Sequence, residues 1–335
     1  MSWRWILAFL LAFLLVVLPA NAQEEGLSVR TTPVKSFNLF SQLVTFGGLE
    51  WRGGLELTSD DERFGGLSSL ELSPDGTGLL AVSDKGFWFK ADVAYTDDHL
   101  SGLHNAVMAP ILGPDGKPYK GKVRNDAEAL AGWEPGRIDG KVIVGFESRA
   151  RAGLYDLGKN GFKARFRDLK LPKDVAKGPP NKELEAIGRL TSGPLAGSMI
   201  AISELNTDEN GDIRAWVWGG RRKAFDFSIK QYEDYAITDL AILPDGDILT
   251  VERSFGGASL PGMAVRRLRT EDIVAKGSVA PSLVFSGRMP FYRIDNMEGI
   301  AVSRLNGETR VTIISDNNYR PEYQRTLLLQ FALKP

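Results

Sequence analysis

A weak internal repeat is the feature that most constrains the fold of this 335-residue chain. In five segments a polar or acidic residue stands ahead of small and apolar residues, and successive segments start 60, 57, 53 and 60 residues apart. The segments are Ser68–Leu70, Glu128–Leu130, Glu185–Ile187, Thr238–Leu240 and Glu298–Ile300. A recurring period of this kind indicates that one structural unit is repeated along the chain.

Each repeat opening is followed by a second signature, an apolar run that ends abruptly in polar residues. These runs are Leu79–Asp84, Val142–Arg149, Met199–Glu204, Ile248–Arg253 and Val311–Asn317. They lack the 3.6-residue stripe of a helix and are rich in β-branched residues, so they predict buried strands. Pro74-Asp75-Gly76 and Pro244-Asp245-Gly246 lie between the two signatures of their units, and these residue types favour tight turns.

The repeat predicts an all-β fold, a β-propeller in which each blade contains four strands. The five repeat units are the internal blades. Residues 37–57 and Thr326–Leu333 also have strand-forming sequences, and their pairing would close the ring and remove an open sheet edge. We therefore expect six blades, of which the sixth is a composite of N- and C-terminal strands. Five or seven blades are the alternatives, because terminal repeats are the least regular.

The first 22 residues have the composition of a signal peptide. Arg4 supplies positive charge, Ile6–Leu18 is an unbroken apolar run, and Ala20-Asn21-Ala22 offers the small residues of a cleavage site. As a helix the run reaches roughly 20 Å, which is less than the ~30 Å hydrocarbon core of a membrane. We predict a signal peptide at 1–22, one propeller domain at 23–335, and a periplasmic or secreted protein with no membrane span after cleavage. An uncleaved N-terminal anchor is the alternative.

Charge and residue counts exclude several kinds of function. A formal net charge of −1 gives no support for nucleic-acid binding. The chain has no cysteine, and His99 and His104 are its two histidines, which are too few ligands for a zinc site built from His and Cys. The sequence has no GxSxG elbow, no P-loop and no GxGxxG after a strand. Carboxylate and metal chemistry is what remains.

The repeat openings place several acids at equivalent positions. Because the innermost strand of a propeller blade lines the central channel, we expect Glu128, Glu185 and Glu298 to converge on one axis, with Asp126 beside them. Asp239, in the fourth unit, stands one place out of register. Converging carboxylates repel one another unless a cation lies among them. We predict that Asp126, Glu128, Glu185 and Glu298 bind a hard divalent cation, Ca²⁺ first of all. The alternative is that these acids cap turns or pair with arginines.

The ends of the second strands form another ring of charged residues. Acids and cations are interleaved there, at Asp84, Lys85, Glu147, Arg149, Glu204, Glu252, Arg253 and Asp316. Such a set suits either a polar ligand or salt bridges between blades, and buried acids in it must be paired to be tolerated. Both interpretations are compatible with the sequence.

As an ordered series, these motifs resemble those of the bacterial phytase-like family, described as "esterase-like activity of phytase". The resemblance covers roughly residues 45–331. It rests on the motifs GGLSSLELSPDG, LLAVSDKG, RNDAEALA, FESR, ELEAIG, TDLAILPDGDILTVERSF, DNMEGIAV, ISDNN and QRTLLLQF. The family implies a propeller fold, export and hydrolysis of phosphoric or other esters. Related propeller phytases hold Ca²⁺ with clustered carboxylates, and the resemblance would place Arg149 and Arg253 on a phosphate.

Three functions are compatible with these patterns. The first is divalent-metal-assisted hydrolysis of a small phosphate or carboxylic ester, with Glu128 and Glu298 as catalytic carboxyl groups and Arg149 and Arg253 on the anion. The second is a non-catalytic propeller that binds a small ligand, a glycan or a protein of the cell envelope. The third is a sugar-lactone hydrolase or a dehydrogenase-like propeller that also uses a divalent ion. We expect a monomer.

Overall fold

The computed structural model describes residues 24–177, 184–256 and 259–334. The predicted signal peptide at 1–22 lies outside the described residues. The described chain consists mainly of β-strands, which form five sheets. None of the helices in these three ranges is long and apolar enough to cross a membrane.

The strands are numbered in chain order. The first twelve are β1 (Glu25–Gly26), β2 (Arg30–Pro33), β3 (Thr45–Phe46), β4 (Leu49–Thr58), β5 (Leu67–Leu72), β6 (Gly78–Ser83), β7 (Phe87–Thr96), β8 (His99–Pro110), β9 (Ala127–Gly132), β10 (Lys141–Phe146), β11 (Arg151–Asp156) and β12 (Arg167–Leu169). The others are β13 (Leu184–Arg189), β14 (Ser198–Thr207), β15 (Ile213–Gly219), β16 (Phe225–Ile229), β17 (Ala236–Ile242), β18 (Ile248–Gly256), β19 (Ser259–Leu268), β20 (Ser278–Val279), β21 (Ser282–Arg288), β22 (Asn296–Leu305), β23 (Glu308–Asp316) and β24 (Thr326–Leu333). Two short helices, α1 (Lys122–Asn125) and α2 (Leu157–Asn160), and three single 3₁₀ turns, Gly161–Lys163, Val175–Lys177 and Thr270–Asp272, lie between strands.

The five sheets are the blades of a propeller. Their strand orders are β1-β8-β7-β6-β5 in blade 1, β12-β11-β10-β9 in blade 2, β13-β14-β15-β16-β20 in blade 3, β17-β18-β19-β21 in blade 4 and β2-β4-β24-β23-β22 in blade 5. The strands that carry the repeat openings (β5, β9, β13, β17 and β22) are the innermost, and each contacts the inner strands of both adjacent blades. The inner strands therefore form a closed ring around a central channel.

The prediction of an all-β propeller is confirmed, but the prediction of six blades is wrong, because the described chain forms five. The two ends do pair, since β24 lies antiparallel to β4. Their pairing adds no blade, because the last repeat unit is short and supplies three strands, β22 to β24. The N-terminal strands β4 and β2 complete that same blade.

Apolar layers between neighbouring blades form the core. Each blade is packed between two others, so its middle strands are buried on both faces; Leu79 to Val82 of β6 are buried throughout. A sheet with one wet face would instead show alternation. At the point of ring closure, the ring of Phe37 lies 5.0 Å from that of Phe331 and 5.9 Å from that of Trp51. An N-terminal residue thus packs directly onto the C-terminal strand.

Every inner strand has an irregularity at the same position. The register between the inner strand and its neighbour shifts across one residue in all five described blades. The residues passed over are Ser68, Glu128, Glu185, Thr238 and Glu298. An extra residue of this kind bends the strand and re-aims a side chain, so these five side chains are equivalent around the axis. Thr238 is the counterpart of Glu128 in blade 4, in agreement with the one-place offset of Asp239.

Asp239 lies one residue further along its strand and spans the channel. Its counterparts in the other blades are the small residues Ser69, Ala129, Ala186 and Gly299. Asp239 is fully buried and accepts hydrogen bonds from Ser69 Oγ at 2.8 Å and from the backbone N–H of Ile300 at 3.0 Å. Because Ser69 belongs to blade 1 and Ile300 to blade 5, this carboxyl group ties blade 4 to both.

Candidate functional site

One mouth of the channel is a cavity of about 180 Å³ lined by charged side chains. Two rings of residues contribute to it. The first ring contains the bulged residues Ser68, Glu128, Glu185 and Glu298. The second ring contains their neighbours on the second strands, which are Asp84, Glu147, Glu204, Arg253 and Asp316. With Lys122 at the rim, seven acidic and two basic side chains line the cavity, so acids far outnumber cations.

Carboxyl groups of blades 2 and 3 lie closest together. One oxygen each from Asp126, Glu128 and Glu147 lie within 4.8 Å of one another, and so do one oxygen each from Glu147, Glu185 and Glu204. Glu147 belongs to both groups. Carboxylate oxygens are the ligands that Ca²⁺ and other hard cations prefer, so these two triads are the candidate ligand sets.

Local hydrogen bonds position the first triad. The short helix α1 ends immediately before Asp126, and the backbone N–H of Glu147 donates to the backbone carbonyl of Asp126 at 3.0 Å. The Ser148 hydroxyl donates to Asp126 Oδ2. The bulge in β9 then directs Glu128 toward the channel. The fold therefore builds the triad from two adjacent strand ends of one blade.

The two cations of the cavity differ in their surroundings. The guanidinium of Arg253 lies 3.1 Å from Glu204 Oε1 and 3.1 Å from Glu298 Oε1, and it donates to Asn296 Oδ1 at 2.5 Å. Lys122 extends from α1 and is exposed. Arg253 is thus committed to neighbouring acids, whereas Lys122 is accessible to an incoming anion.

Burial raises the pKa values of five of the cavity acids. It raises the pKa of Glu298 to about 8, that of Asp316 to about 7 and that of Asp84 to about 6. The pKa values of Glu128 and Glu185 lie well above the ordinary value, because burial is reinforced by repulsion from neighbouring carboxylates. In the absence of a cation, the cavity therefore holds protons near neutral pH.

The donor set fits a divalent cation. The two triads offer carboxylate oxygens alone, which is the chemistry that hard cations select. In addition, Oδ1 of Asp84 is buried and has no hydrogen-bond partner among the described residues. A buried acceptor without a donor is costly unless a ligand completes it. His99 and His104 are exposed on β8 and take no part.

Most of the predicted site residues meet in this cavity. Glu128, Glu185 and Glu298 line it, and Asp126 joins Glu128 in the first triad. Arg253 also lines it, although its contacts are with acids.

Arg149 is the exception among the predicted residues. It follows β10 in a turn, it is exposed, and it is absent from the cavity lining described above. The turn after β10 carries Glu147 inward and leaves Arg149 outside. Lys122, which sequence reasoning missed, occupies the accessible cationic position instead.

The second ring contributes four acids to the lining of the cavity. The sequence pattern was compatible with both a ligand site and salt bridges, whereas the structure brings Asp84, Glu147, Glu204 and Asp316 into the same cavity as the first ring. The salt-bridge interpretation holds for Glu252, which faces the other way. Its Oε1 lies 2.6 Å from Arg266 Nε, and both side chains are buried. The alternation of neighbours along a strand was the available signal, because Glu252 and Arg253 must point to opposite faces.

These features define a five-bladed β-propeller with a carboxylate-lined cavity at one mouth of its channel. The family described as "Phytase-like: Esterase-like activity of phytase" matches residues 62–319. The chain belongs to this family, as its ordered motifs predicted. Among solved structures, the one described as "Structure of Dos1 propeller" is similar at 11% identity and a TM-score of 0.36, over 85% of this chain and 75% of that chain. No curated protein matches the chain.

Proposed function

We propose that this protein is an exported hydrolase of phosphate or carboxylic esters that binds a divalent cation, Ca²⁺ first of all, in the central cavity. The observation that carries the proposal is the pair of carboxylate triads that share Glu147. Membership of the phytase-like family supports a hydrolytic activity. The signal-peptide pattern at 1–22 supports export.

The charge of the cavity is the reason to expect a cation. Glu204 shares its carboxylate with Arg253, whereas Asp126, Glu128 and Glu185 form no ion pair with an arginine among the described residues. Carboxylates this close cannot all ionise without a positive charge among them. Protons or a metal ion can supply that charge, and oxygen ligands at this density favour the metal ion.

When bound, a divalent cation would neutralise the charge of an ester and lower the pKa of a coordinated water molecule. The chain's own residues would do the remaining work. Lys122, at the exposed rim, is placed to attract an anionic ester into the cavity. Burial raises the pKa of Asp316 to about 7, and a carboxyl group with such a pKa can give a proton to a leaving oxygen.

The first experiment is metal analysis and thermal melting of the mature protein, with EDTA and with added Ca²⁺. We expect stoichiometric metal and a melting temperature that rises with Ca²⁺, because a ligand that binds only the folded state stabilises it. Glu128→Gln should abolish most of the Ca²⁺-dependent rise. Glu134→Gln, an exposed glutamate beyond the far end of the same strand, is the matched control and should retain it.

Hydrolysis is then measured on p-nitrophenyl phosphate, phytate and p-nitrophenyl acetate. We expect turnover of at least one of these esters that EDTA removes and Ca²⁺ restores, and that Glu128→Gln lowers by about 10²-fold or more. Metal binding without any ester turnover would instead favour the non-catalytic binding propeller. A folded protein with neither metal nor a Ca²⁺-dependent melting shift would refute the metal centre.

A further inference from the structure

One position in the two rings of the cavity breaks the pattern of the other blades. In the second ring, blades 1, 2, 3 and 5 contribute an acid, while blade 4 contributes an arginine. The five residues are Asp84, Glu147, Glu204, Arg253 and Asp316. In the first ring, blade 4 contributes Thr238, whereas blades 2, 3 and 5 contribute glutamates. Blade 4 therefore supplies the cavity with a positive charge and with no carboxylate from either ring.

Arg253 contacts acids on both neighbouring blades. It bonds to Glu204 of blade 3 and to Glu298 of blade 5, at 3.1 Å each. Asn296 bridges the group further, because its side chain accepts from Arg253 and donates to Glu298 Oε1 at 2.6 Å. Arg253 has a side-chain exposure of 23%, and those of Glu204 and Glu298 are 14% and 13%. The guanidinium thus occupies the centre of a small set of oxygen atoms, as a bound cation would.

We propose that Arg253 is a built-in cation that takes the place of a metal ion on the blade 4 side of the cavity and confines divalent cations to the carboxylates of blades 1 to 3. The inference rests on the proposed metal centre and specifies where in the cavity the ions bind. It also assigns Arg253 to the acids of the cavity rather than to the substrate.

The chemistry of the side chain supports this role. A guanidinium stays charged at every accessible pH, and its fork of donors can serve two carboxylates at once. A metal ion could leave that position, whereas an arginine cannot. Glu204 marks the boundary, because it belongs to the second carboxylate triad and also bonds to Arg253. The proposed ligands of divalent cations are then the other carboxylates of blades 1 to 3, which are Asp84, Asp126, Glu128, Glu147 and Glu185.

The test is the number of Ca²⁺ ions bound per chain, measured by equilibrium dialysis with elemental analysis. Arg253→Glu restores the acid that the other four blades carry, and we expect it to bind one ion more than the wild type. Arg253→Gln exposes the same two glutamates and should also gain an ion, with weaker affinity. Arg253→Lys keeps the charge and should match the wild type.

Lys122→Gln is the matched control, because it removes one positive charge from the same cavity. It should leave the number of bound ions unchanged, since Lys122 is exposed at the rim and forms no ion pair with a ring acid among the described residues. An extra ion in this variant would mean that net charge alone sets the number, and would overturn the role of Arg253.

Thermal melting of the Arg253 variants, in EDTA and in Ca²⁺, separates folding from binding. We expect both neutral and acidic variants to melt lower than the wild type in EDTA and to recover in Ca²⁺, because an ion replaces the guanidinium. Unchanged ion counts in both, or failure of both to fold in saturating Ca²⁺, would overturn the inference. If the wild type bound no Ca²⁺ while the Arg253→Glu variant did, the proposed metal centre would be refuted and the role of Arg253 would be supported.

Discussion

At the scale of single residues, the protein contains two kinds of buried acid. The cavity acids face a shared space, and several have pKa values raised by burial and by one another. Asp239, in contrast, accepts hydrogen bonds from protein donors, and Glu252 pairs with the buried guanidinium of Arg266. The distinction matters because an acid that is satisfied by the protein contributes to stability, while an unsatisfied one creates a demand for a ligand.

Asp239 allows a test of its protonation state. Burial raises its pKa well above the ordinary value, so we expect a neutral carboxyl group that bridges blades. Asp239→Asn keeps an acceptor for the Ile300 N–H and should change the free energy of unfolding little. Asp239→Ala leaves that N–H unpaired in the core and should cost about 1–3 kcal/mol. Urea denaturation measures both, and equal losses would argue that Asp239 is ionised.

For the buried pair of Glu252 and Arg266 we expect the opposite result: replacing the carboxylate by an amide should lower the free energy of unfolding markedly. Among the described residues, Glu252 is the only carboxylate that pairs with Arg266, whose side chain is 4% exposed. Glu252→Gln therefore removes the negative partner of a buried guanidinium. Leaving a buried charge uncompensated costs about 3–5 kcal/mol. Asp60→Asn, in the exposed pair with Arg30, is the control and should produce no resolvable change. Chemical denaturation of the two variants would refute the expectation if both behaved alike.

At the scale of elements, ring closure depends on strands from the two ends of the chain. β4 lies between β2 and β24, so the N-terminal segment fills the outer part of the last blade. The aromatic rings of Phe37, Trp51 and Phe331 meet at that junction. Closure of this type leaves the ring without an open inner edge, which protects the sheets from pairing with other chains.

A double-mutant cycle tests this closure. Phe37 and Phe331 are fully buried, so replacing either with alanine should lower the free energy of unfolding by about 3–5 kcal/mol. Because their rings are in contact, the double variant should deviate from additivity by about 0.5–3 kcal/mol. Phe162, in the layer between blades 1 and 2, provides the control pair with Phe331 and should be additive. An additive Phe37–Phe331 pair would contradict the closure.

At the scale of the whole molecule, the channel mouth collects acids from four of the five described blades. Five of these acids, Asp84, Glu128, Glu185, Glu298 and Asp316, have raised pKa values, so the metal-free folded state holds protons there more tightly than the unfolded state does. A group whose pKa is higher in the folded state stabilises the folded protein at pH values below its unfolded-state pKa. This contribution is lost as the pH rises through its folded-state pKa. The contribution of the cavity acids to the stability of the metal-free molecule is therefore largest on the acidic side, where the cavity is protonated.

This predicts a pH dependence with a definite sign. In EDTA, the melting temperature should fall between pH 4.5 and pH 8, the interval between the ordinary pKa of glutamate and that of Glu298. Added Ca²⁺ should reduce the fall, because metal binding requires ionised ligands and becomes stronger as pH rises. Glu298→Gln removes a carboxyl group whose pKa is raised to about 8 and should flatten the upper part of the profile. Melting in EDTA that rises or stays level with pH would contradict the prediction.

Much of the architecture could be predicted from local sequence. The apolar runs and Pro-Asp-Gly turns predicted strands because neighbouring residues determine backbone conformation and burial on both faces. The repeat predicted a propeller, and the one-place offset of Asp239 agreed with the bulge at Thr238. The blade count was wrong because a terminal strand has the same local pattern whether it starts a new blade or completes an old one.

The sequence by itself determined which residues repeat, and therefore which acids occupy equivalent places in successive blades. Only the tertiary structure decided that both rings share one cavity, that Glu147 links two carboxylate triads, and that Arg149 stays outside while Lys122 and Arg253 lie within. The physical reason is distance along the chain. Strand formation depends on near neighbours, whereas the convergence of side chains from blades about 60 residues apart depends on how many blades close the ring and how their sheets pack.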